Sequence, residues 1–172
     1  GVWGDEQKIV ASDRQGGDQF GTSVSLSGDY AIVGVLGKDS YTGAAYIYKR
    51  NGTTWGDEKK ITAGDRQAGD FFGYSVSLSG DYAIVAALAK DSNTGAAYIY
   101  KRNGTTWGDE KKITAGDRQT GDEFGISVSL SGDYAIVGAY FEDATGDDKR
   151  GAAYIFKREG TTWSEIKKLT AS

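Results

Sequence analysis

Three similar acidic loops contain the residues of this chain that are best suited to bind a ligand or a metal ion. The first reads Asp13-Arg14-Gln15-Gly16-Gly17-Asp18, with two carboxylates five residues apart, and copies follow at 65–70 and 117–122. Such a loop could hold a cation with the help of backbone carbonyls. Alternatively, the aspartates accept hydrogen bonds from turn amides and the arginine pairs with one of them. The candidate binding residues are Asp13, Arg14, Asp18, Asp65, Arg66, Asp70, Asp117, Arg118 and Asp122.

A longer acidic loop occurs once, at residues 140–151, and reads "YFEDATGDDKRG". Calcium takes roughly six to eight oxygen ligands, and carboxylates on a loop are its usual donors in proteins. The loop is therefore a candidate for a weak calcium site, and the alternative is a solvated run of charge. No other cofactor is expected. The candidate metal ligands are Glu142, Asp143, Asp147 and Asp148.

The composition excludes most catalytic chemistry. The 172 residues include no His and no Cys, which removes imidazole bases, thiol nucleophiles and the usual zinc ligands. Paired carboxylates can hydrolyse glycosides. However, the carboxylate pairs of the three loops recur in each copy, as a structural feature would and an active site normally would not. We therefore predict that the protein is not an enzyme.

The charge pattern also limits the partners. There are 20 basic and 24 acidic residues, and no basic cluster exceeds a Lys-Arg or Lys-Lys pair, so nucleic acid is not an expected partner. No apolar run approaches the length of about 18 residues that marks a membrane-spanning helix, so we expect no membrane insertion. Because the chain begins at Gly1 without Met or a signal peptide, we expect a mature product or an excised piece.

The elements that must position these loops are repeated. Trp3, Trp55, Trp107 and Trp163 are separated by 52, 52 and 56 residues. A period near 50 is typical of propeller blades and other repeat arrays. The predicted division is a first segment at 1–12, followed by units at 13–62, 63–114 and 115–172, the last with an insertion at 140–151.

Each unit contains four predicted strands, here labelled a to d. In the first unit, Thr22–Ser27 alternates serine with Val or Leu, and Tyr30–Val35 is almost continuously apolar, as in a strand buried on both faces. Residues 43–50 form strand c, the tight turn "NGTT" follows, and the charged Trp55–Thr62 fits an outer edge. The prediction is an all-β, propeller-like array of three four-stranded antiparallel blades, with a β-solenoid as the alternative.

The repeated pattern resembles a known family. The residues D-x-F-G-x-S-V-S-L-S-G-D-Y-A-I-V-G, followed by G-A-A-Y-I-Y, look like the FG-GAP repeat, the blade unit of integrin α-subunit propellers and of many secreted bacterial proteins. The Phe-Gly pairs begin at Phe20, Phe72 and Phe124. The resemblance covers all three units. It implies an extracellular or cell-surface protein with an adhesive or structural role.

One departure from the family concerns calcium. Integrin-type repeats carry an Asp-rich loop, D-x-D-x-D-G-x-x-D, between the Phe-Gly strand and the next strand. This chain has only Ser27-Gly28-Asp29 and its copies there. A turn with one carboxylate cannot supply the oxygen ligands that calcium needs. The family's calcium site is not expected at this position, and the chain is more similar to a compact bacterial variant of the repeat.

The differences between units are concentrated in two loops. Units 1 and 2 differ at eight of 52 positions, all within residues 12–22 or 34–41. In a four-stranded blade the d–a and b–c loops emerge on one side, here called the loop face: residues 12–22 and 34–43 of unit 1 and their equivalents. We predict that this face recognises a protein or carbohydrate ligand, and neutral drift is the alternative. Tyr41 of unit 1 and Asn93 of unit 2 occupy the same variable position of the repeat and are further candidate binding residues.

The strand count leaves a surplus. Val2–Val10 matches Trp55–Thr62, so three a–b–c sets are accompanied by four d-type strands. Propellers usually close with about four to eight blades, so three blades leave two apolar end faces. Three arrangements fit: a longer array of blades, a six-bladed ring of two copies, or a filament in which residues 1–12 complete a blade of the next copy. Self-association or further blades are thus the expected partners.

Overall fold

The computed structural model describes residues 6–142 and 150–171, which form three four-stranded antiparallel sheets. Each repeat is one sheet, so the predicted all-β fold of four-stranded, propeller-like blades is confirmed. Two one-turn segments, α1 (Lys38–Tyr41) and α2 (Lys90–Asn93), lie in the b–c loops, and their last three residues have positive φ angles, so each turn is left-handed. The strands are β1 (Phe20–Ser27), β2 (Tyr30–Val35), β3 (Ala44–Asn51) and β4 (Thr54–Ile61) in blade 1; β5 (Phe72–Ser79), β6 (Tyr82–Ala87), β7 (Ala96–Asn103) and β8 (Thr106–Ile113) in blade 2; and β9 (Phe124–Ser131), β10 (Tyr134–Ala139), β11 (Ala152–Glu159) and β12 (Thr162–Thr170) in blade 3.

The hairpin between strands c and d differs by one residue from the turn that the sequence suggests. Asn51 pairs with Thr54, so the two loop residues are Gly52 and Thr53, and Gly52 has a φ of 63°. Thr53 does not have a positive φ, and a two-residue hairpin loop with positive φ only at its first residue is a type II′ turn. Blade 3 makes the same turn with Glu159 before its glycine, so asparagine is not required.

The Phe-Gly pair produces a local irregularity at the start of each inner strand. Gly73 has a φ of 92°, which glycine adopts without strain, and the register of β5 with β6 shifts just after Phe72. Phe72 is fully buried, with its ring centroid 5.7 Å from that of Tyr98 and 6.3 Å from that of Tyr100. The glycine thus lets the strand bend while the phenylalanine fills the core.

The hydrophobic core lies between blades. Ile32 and Ile47 of blade 1 pack in one cluster with Phe72, Val76 and Leu78 of blade 2, and blades 2 and 3 form an equivalent cluster. Each blade is therefore stabilised mainly by its neighbours.

Serines join the innermost strands of adjacent blades. The amide of Leu78 donates a hydrogen bond to Ser25 Oγ at 3.1 Å, and the amide of Leu130 donates to Ser77 Oγ at 3.0 Å. The Oγ of Ser75 donates to the carbonyl of Gly125 at 2.7 Å. The repeated "SVSLS" therefore supplies apolar side chains to one junction and hydroxyls to the next.

The segment before blade 1 takes the place of a preceding outer strand. The Ser12 amide donates to Glu58 at 2.9 Å, as the amides of Gly64 and Gly116 do to the glutamates of the following blades. Ala11 is buried against blade 1 of the same chain. Residues 6–10 are not part of a strand, because no b or c strand lies beside them in the described chain. Residues 1–5 of the predicted surplus strand lie outside the described residues.

We predict that the blade junction requires glycine at position 43, and stability measurements can check this. Gly43 has a φ of 85°, and a Cβ on it would lie 2.0 Å from the carbonyl oxygen of Phe72. We expect Gly43→Ala to lower the free energy of unfolding by more than about 2 kcal/mol in a urea titration. Gly16→Ala, where a Cβ meets nothing within 4 Å, is the control and should change it by less than about 0.5 kcal/mol. Equal effects of the two substitutions would contradict this account.

Candidate functional site

A buried lysine ties the two loops of the loop face together. Lys38 is 2% exposed, and its Nζ donates to Asp18 Oδ2 at 3.0 Å and to the carbonyl of Asp13 at 2.5 Å. Lys90 makes the same bonds in unit 2, at 3.0 and 2.6 Å. Burial alone would lower the pKa of Lys38, but the hydrogen bond from Lys38 to Asp18 and the charge of Asp13 outweigh it and raise that pKa. The d–a and b–c loops of one unit are therefore held by a buried ion pair.

The second aspartate of each acidic loop also closes its own turn. Asp18 is buried, and its Oδ2 accepts a hydrogen bond from the amide of Gln15 at 2.7 Å. Asp70 and Asp122 are also buried and accept the equivalent amide at 2.6 Å. These three candidate residues thus support the loop conformation.

The first aspartate of each loop is the acceptor of a second network. Asp13 accepts hydrogen bonds from Tyr46 Oη at 2.6 Å and from Lys60 Nζ at 2.8 Å. The bond from Lys60, followed by that from Tyr46, lowers the pKa of Asp13 to about 2. Burial raises the pKa of Tyr46 above its ordinary range, and the bond to Asp13 adds to this, so the phenol remains a donor. The same network links Asp65 to Tyr98 and Lys112, and Asp117 to Tyr154 and Lys168.

The ion-pair partners of Asp18 and Asp70 are lysines, which the sequence interpretation overlooked, and not the arginines of the same loops. Arg14, Arg66 and Arg118 are exposed, and Arg66 donates to Thr62 Oγ1. The buried Asp18 and Asp70 pair with Lys38 and Lys90 instead. One signal was available in the sequence, because this lysine is identical in units 1 and 2 and is replaced by Glu142 in unit 3.

The replacement changes the charge pattern of blade 3. Glu142 is buried, and Lys168 Nζ donates both to it at 2.5 Å and to Asp117 at 2.6 Å. Among residues 6–142 and 150–171, no group of three or more His, Cys, Asp or Glu side chains could hold a metal ion. The other candidate metal ligands, Asp143, Asp147 and Asp148, lie outside the described residues.

Some variable positions lie on this braced surface, whereas residues 34 and 35 and their equivalents 86 and 87 are buried in β2 and β6. Tyr41 and Asn93 are exposed, while their carbonyls accept the amides of Phe71 and Glu123 in the next unit, at 3.0 and 2.9 Å. Their side chains can therefore vary without loss of the backbone bonds that join neighbouring blades.

The Ser-Gly-Asp turns, on the opposite side of each blade, are closed by ion pairs. Asp29 Oδ1 accepts a hydrogen bond from Arg50 Nη2 at 2.5 Å, and Asp81 and Asp133 pair in the same way with Arg102 and Arg158. The single carboxylate of each turn thus has an arginine partner.

Each end of the array presents an apolar blade face to solvent. On blade 1, the face that carries Val24 and Leu26 is here called the leading face. Both side chains are 68% exposed, whereas the equivalent Val76 and Leu78 are 7% and 5% exposed. The difference in exposure corresponds to the side-chain surface that a neighbouring blade covers in blade 2.

The other end, here called the trailing face, is the side of blade 3 that carries Tyr134, Ile136 and Ile155. Ile136 is 39% exposed, whereas the equivalent Ile32 is fully buried. A groove of about 230 Å³ on this face is lined in part by Ser129 and Ser131, the equivalents of the serines that bond the next blade in blades 1 and 2. The groove has the same residue types as the corresponding side of an internal blade junction, but no described blade covers it.

Blades of this kind, packed face to face and joined by short loops, define a repeat protein of the β-propeller type. A profile described as "FG-GAP repeat" matches residues 3–48, 55–100 and 107–156, and the chain belongs to this family. No helix in the described part of the chain is long and apolar enough to cross a membrane.

The similar curated proteins are integrin α subunits. The chain is 25% identical to integrin alpha-7 of Rattus norvegicus over 96% of its length, and 25% identical to integrin alpha-4 of Xenopus laevis over 93%. It is 26% identical to integrin alpha-D of Homo sapiens over 84%. The matches span 17%, 16% and 13% of those proteins, so the similarity concerns one region of each.

The lowered pKa of Asp13 predicts a pH dependence. Hydrogen bonds in the folded protein also lower the pKa values of Asp65 and Asp117, although burial opposes this. A carboxyl with a depressed folded-state pKa adds stability above its unfolded value and loses it as pH falls through the folded value. We therefore expect the free energy of unfolding to decrease between about pH 4 and pH 2. Urea titrations of Asp13→Asn should show a smaller decrease over this range, and an identical one would contradict the assignment.

Removal of the buried lysine should expose the cost of an unpaired carboxylate. Lys90→Met leaves Asp70 buried without a cation, and we expect a loss of about 3 kcal/mol in the free energy of unfolding, measured by urea titration. Lys90→Met/Asp70→Asn should lose less, because no uncompensated charge remains. The control is Lys111→Met, since Lys111 is exposed and should tolerate the change within about 0.5 kcal/mol. A double variant less stable than Lys90→Met would refute this interpretation.

Proposed function

We propose that the protein is a non-catalytic structural and adhesive module outside the cell, whose leading face docks on the trailing face of a second copy. The observation that supports this most directly is the correspondence between the two end faces and the two sides of the internal junctions. Residue types that are buried between blades 1 and 2 recur, exposed, at opposite ends of the chain.

The apolar part of the correspondence supplies the driving force. In the internal junctions, Leu78 and Val76 pack against the b and c strands of the preceding blade. In the proposed contact, Leu26 and Val24 meet Ile136 and its neighbours on the second copy. Covering a side chain of this size contributes about 1.5–3 kcal/mol, so several together favour association.

The polar part of the correspondence fixes the register. Leu78 and Gly80 donate their amides to Ser25 and Ser27, and the same bonds recur between blades 2 and 3. By equivalence, Ser129 and Ser131 of one copy accept the amides of Leu26 and Gly28 of the next.

The proposed contact is heterologous, because two different faces meet. Such contacts close into rings or continue as filaments, depending on the rotation per copy. Two copies would make a six-bladed ring, within the common range of about four to eight blades.

The first segment is not required for this docking. Ile9 and Ala11 pack in one cluster with Tyr46 and Tyr48, whereas Val24 and Leu26 remain exposed. Association should therefore persist after deletion of residues 1–12, and its loss would instead indicate that this segment is donated to the next copy.

Adhesion is assigned to the loop face. Tyr41 and Asn93 are exposed at a variable position, on loops held rigid by the lysine and aspartate networks, and rigid scaffolds with variable loops favour recognition. Similarity to integrin α subunits supports an extracellular setting.

Two single variants test the docking. Leu26→Lys disables only the leading face, and Ile136→Lys only the trailing face. In sedimentation experiments from micromolar to millimolar concentration, we expect the unsubstituted protein to associate and each variant alone to remain monomeric. An equimolar mixture of the two variants should form a dimer, because each supplies the intact face that the other lacks.

The control is Tyr41→Asn, which exchanges an exposed residue for its counterpart in unit 2 and should associate as the unsubstituted protein does. A monomeric unsubstituted protein, or a mixture that fails to dimerise, would exclude head-to-tail docking. Dimers of Leu26→Lys alone would indicate a contact between like faces.

A further inference from the structure

Two equivalent clefts open between the outer strands of neighbouring blades, and we call them the rim clefts. The first, of about 180 Å³, is lined by Tyr30, Lys49, Asp57 and Lys59 of blade 1 and by Thr105 and Trp107 of blade 2. The second, of about 170 Å³, has Tyr82, Lys101, Asp109, Lys111, Thr161 and Trp163 at the same positions. Neither cleft includes a residue of the loop face or needs a second copy of the chain.

An aromatic pair forms one wall of each cleft. The Tyr30 and Trp107 rings meet edge to face with centroids 5.8 Å apart, and those of Tyr82 and Trp163 with centroids 5.9 Å apart. The Arg102 guanidinium lies 4.7 Å from the centroid of Tyr30, which further fixes that ring. Trp107 is partly buried and Trp163 is 9% exposed, so each indole offers the cleft a limited apolar surface against which one sugar ring can pack.

The lysines of the clefts carry uncompensated charge. Lys49 and Lys59 form no ion pair with any residue that the structure describes, in contrast to Lys60, which bonds to Asp13. The same contrast holds between Lys111 and Lys112 in the next unit. Two ammonium groups face one carboxylate in each cleft, so each cleft is locally cationic in a protein of net charge −4. A cleft that gathers charge of one sign concentrates ligands of the other sign.

An outer-strand bulge places the carboxylate there. The register between β3 and β4 shifts between Ile47 and Lys49, and Asp57 at this point has a φ of 50°. Bulges redirect side chains out of the regular alternation. Asp109 occupies the same position with a φ of 51°, so the feature is repeated.

We propose that each rim cleft binds one acidic sugar residue, a hexose that carries a carboxylate or a sulfate group. The sugar ring packs against the part of the aromatic pair that lines the cleft, the two lysines bind the acidic group, and the aspartate and threonine bond to ring hydroxyls. The volumes are below the range of about 300–1,000 Å³ typical of drug-sized ligands, which fits a single sugar unit. Because the clefts are separate and equivalent, the proposal predicts two sugar-binding sites per chain.

Titration calorimetry with defined probes tests the proposal. Oligogalacturonate carries carboxylates, dextran sulfate carries sulfates, and neutral dextran carries neither. Measurements in the Leu26→Lys background keep the sites distinct from docking, so failure of one proposal leaves the other intact. We expect two sites per chain for at least one acidic probe, quenching of tryptophan fluorescence, weaker binding at high salt, and no binding of neutral dextran.

Matched lysine pairs locate the sites. Lys101→Gln/Lys111→Gln should reduce the number of sites from two to one, and addition of Lys49→Gln/Lys59→Gln should weaken binding at least about tenfold. Lys157→Gln/Lys167→Gln removes the same number of charges from the equivalent positions of blade 3, where Lys157 pairs with Glu159 and no described blade completes a cleft, and should leave both sites.

Three outcomes would overturn the proposal: binding of neither acidic probe, binding that survives the four substitutions, or an equal loss in the blade 3 control. The last would indicate general attraction of a polyanion to surface lysines. All of these lysines are half-buried or exposed, so we expect the variants to fold, and unfolding curves check this.

Discussion

A four-stranded sheet of this kind cannot bury either of its faces alone, and the structure follows from that constraint. Each blade carries apolar side chains on both sides, so the cores form where two blades meet. The stability of one repeat therefore depends on the presence of its neighbours, as in other repeat proteins. The same dependence explains why the inner strand is repeated almost without change: it must fit the blade before it and bond to the blade after it. At the two ends of the described array, apolar residues such as Val24, Leu26 and Ile136 are exposed because no described blade covers them.

The polar networks have a different role: they hold the long loops at the edge of the array in place. Lys38 and Lys90 are enclosed between two loops, and their charges are balanced by buried aspartates. A buried pair of this kind adds little net stability over an apolar contact, but it defines one loop conformation, because any other arrangement leaves a charge unpaired. In blade 3 the lysine is replaced by Glu142, and Lys168 bridges two carboxylates instead. The loop face is therefore rigid at its base and carries exposed variable residues such as Tyr41 and Asn93, while the rim clefts lie between the outer strands of neighbouring blades.

Much of the fold could be read from local patterns. The period of 52 residues, the serine alternation of strand a and the continuous apolar run of strand b predicted strands that the structure has within about two residues. The c–d turn was displaced by one residue, because the pairing of Asn51 with Thr54 sets the loop and the Asn-Gly dipeptide does not. The candidate site was predicted less well: the aspartates were identified, but their lysine partners were not. Lys38 lies 20 residues beyond Asp18 in a different loop, and no local rule of sequence relates them.

The sequence by itself determined the repeat, the four strands of each blade, the absence of imidazole and thiol chemistry, and the loops in which units differ. These properties depend on residue type and short-range periodicity, which can be read from the chain directly. Only the tertiary structure decided which carboxylates are buried, which lysines lack a partner within the described chain, and which apolar residues have no blade to cover them. Val24 and Val76 occupy the same place in identical text, yet Val24 is exposed and Val76 is buried, because burial depends on a neighbouring blade, and among the described residues only Val76 has one.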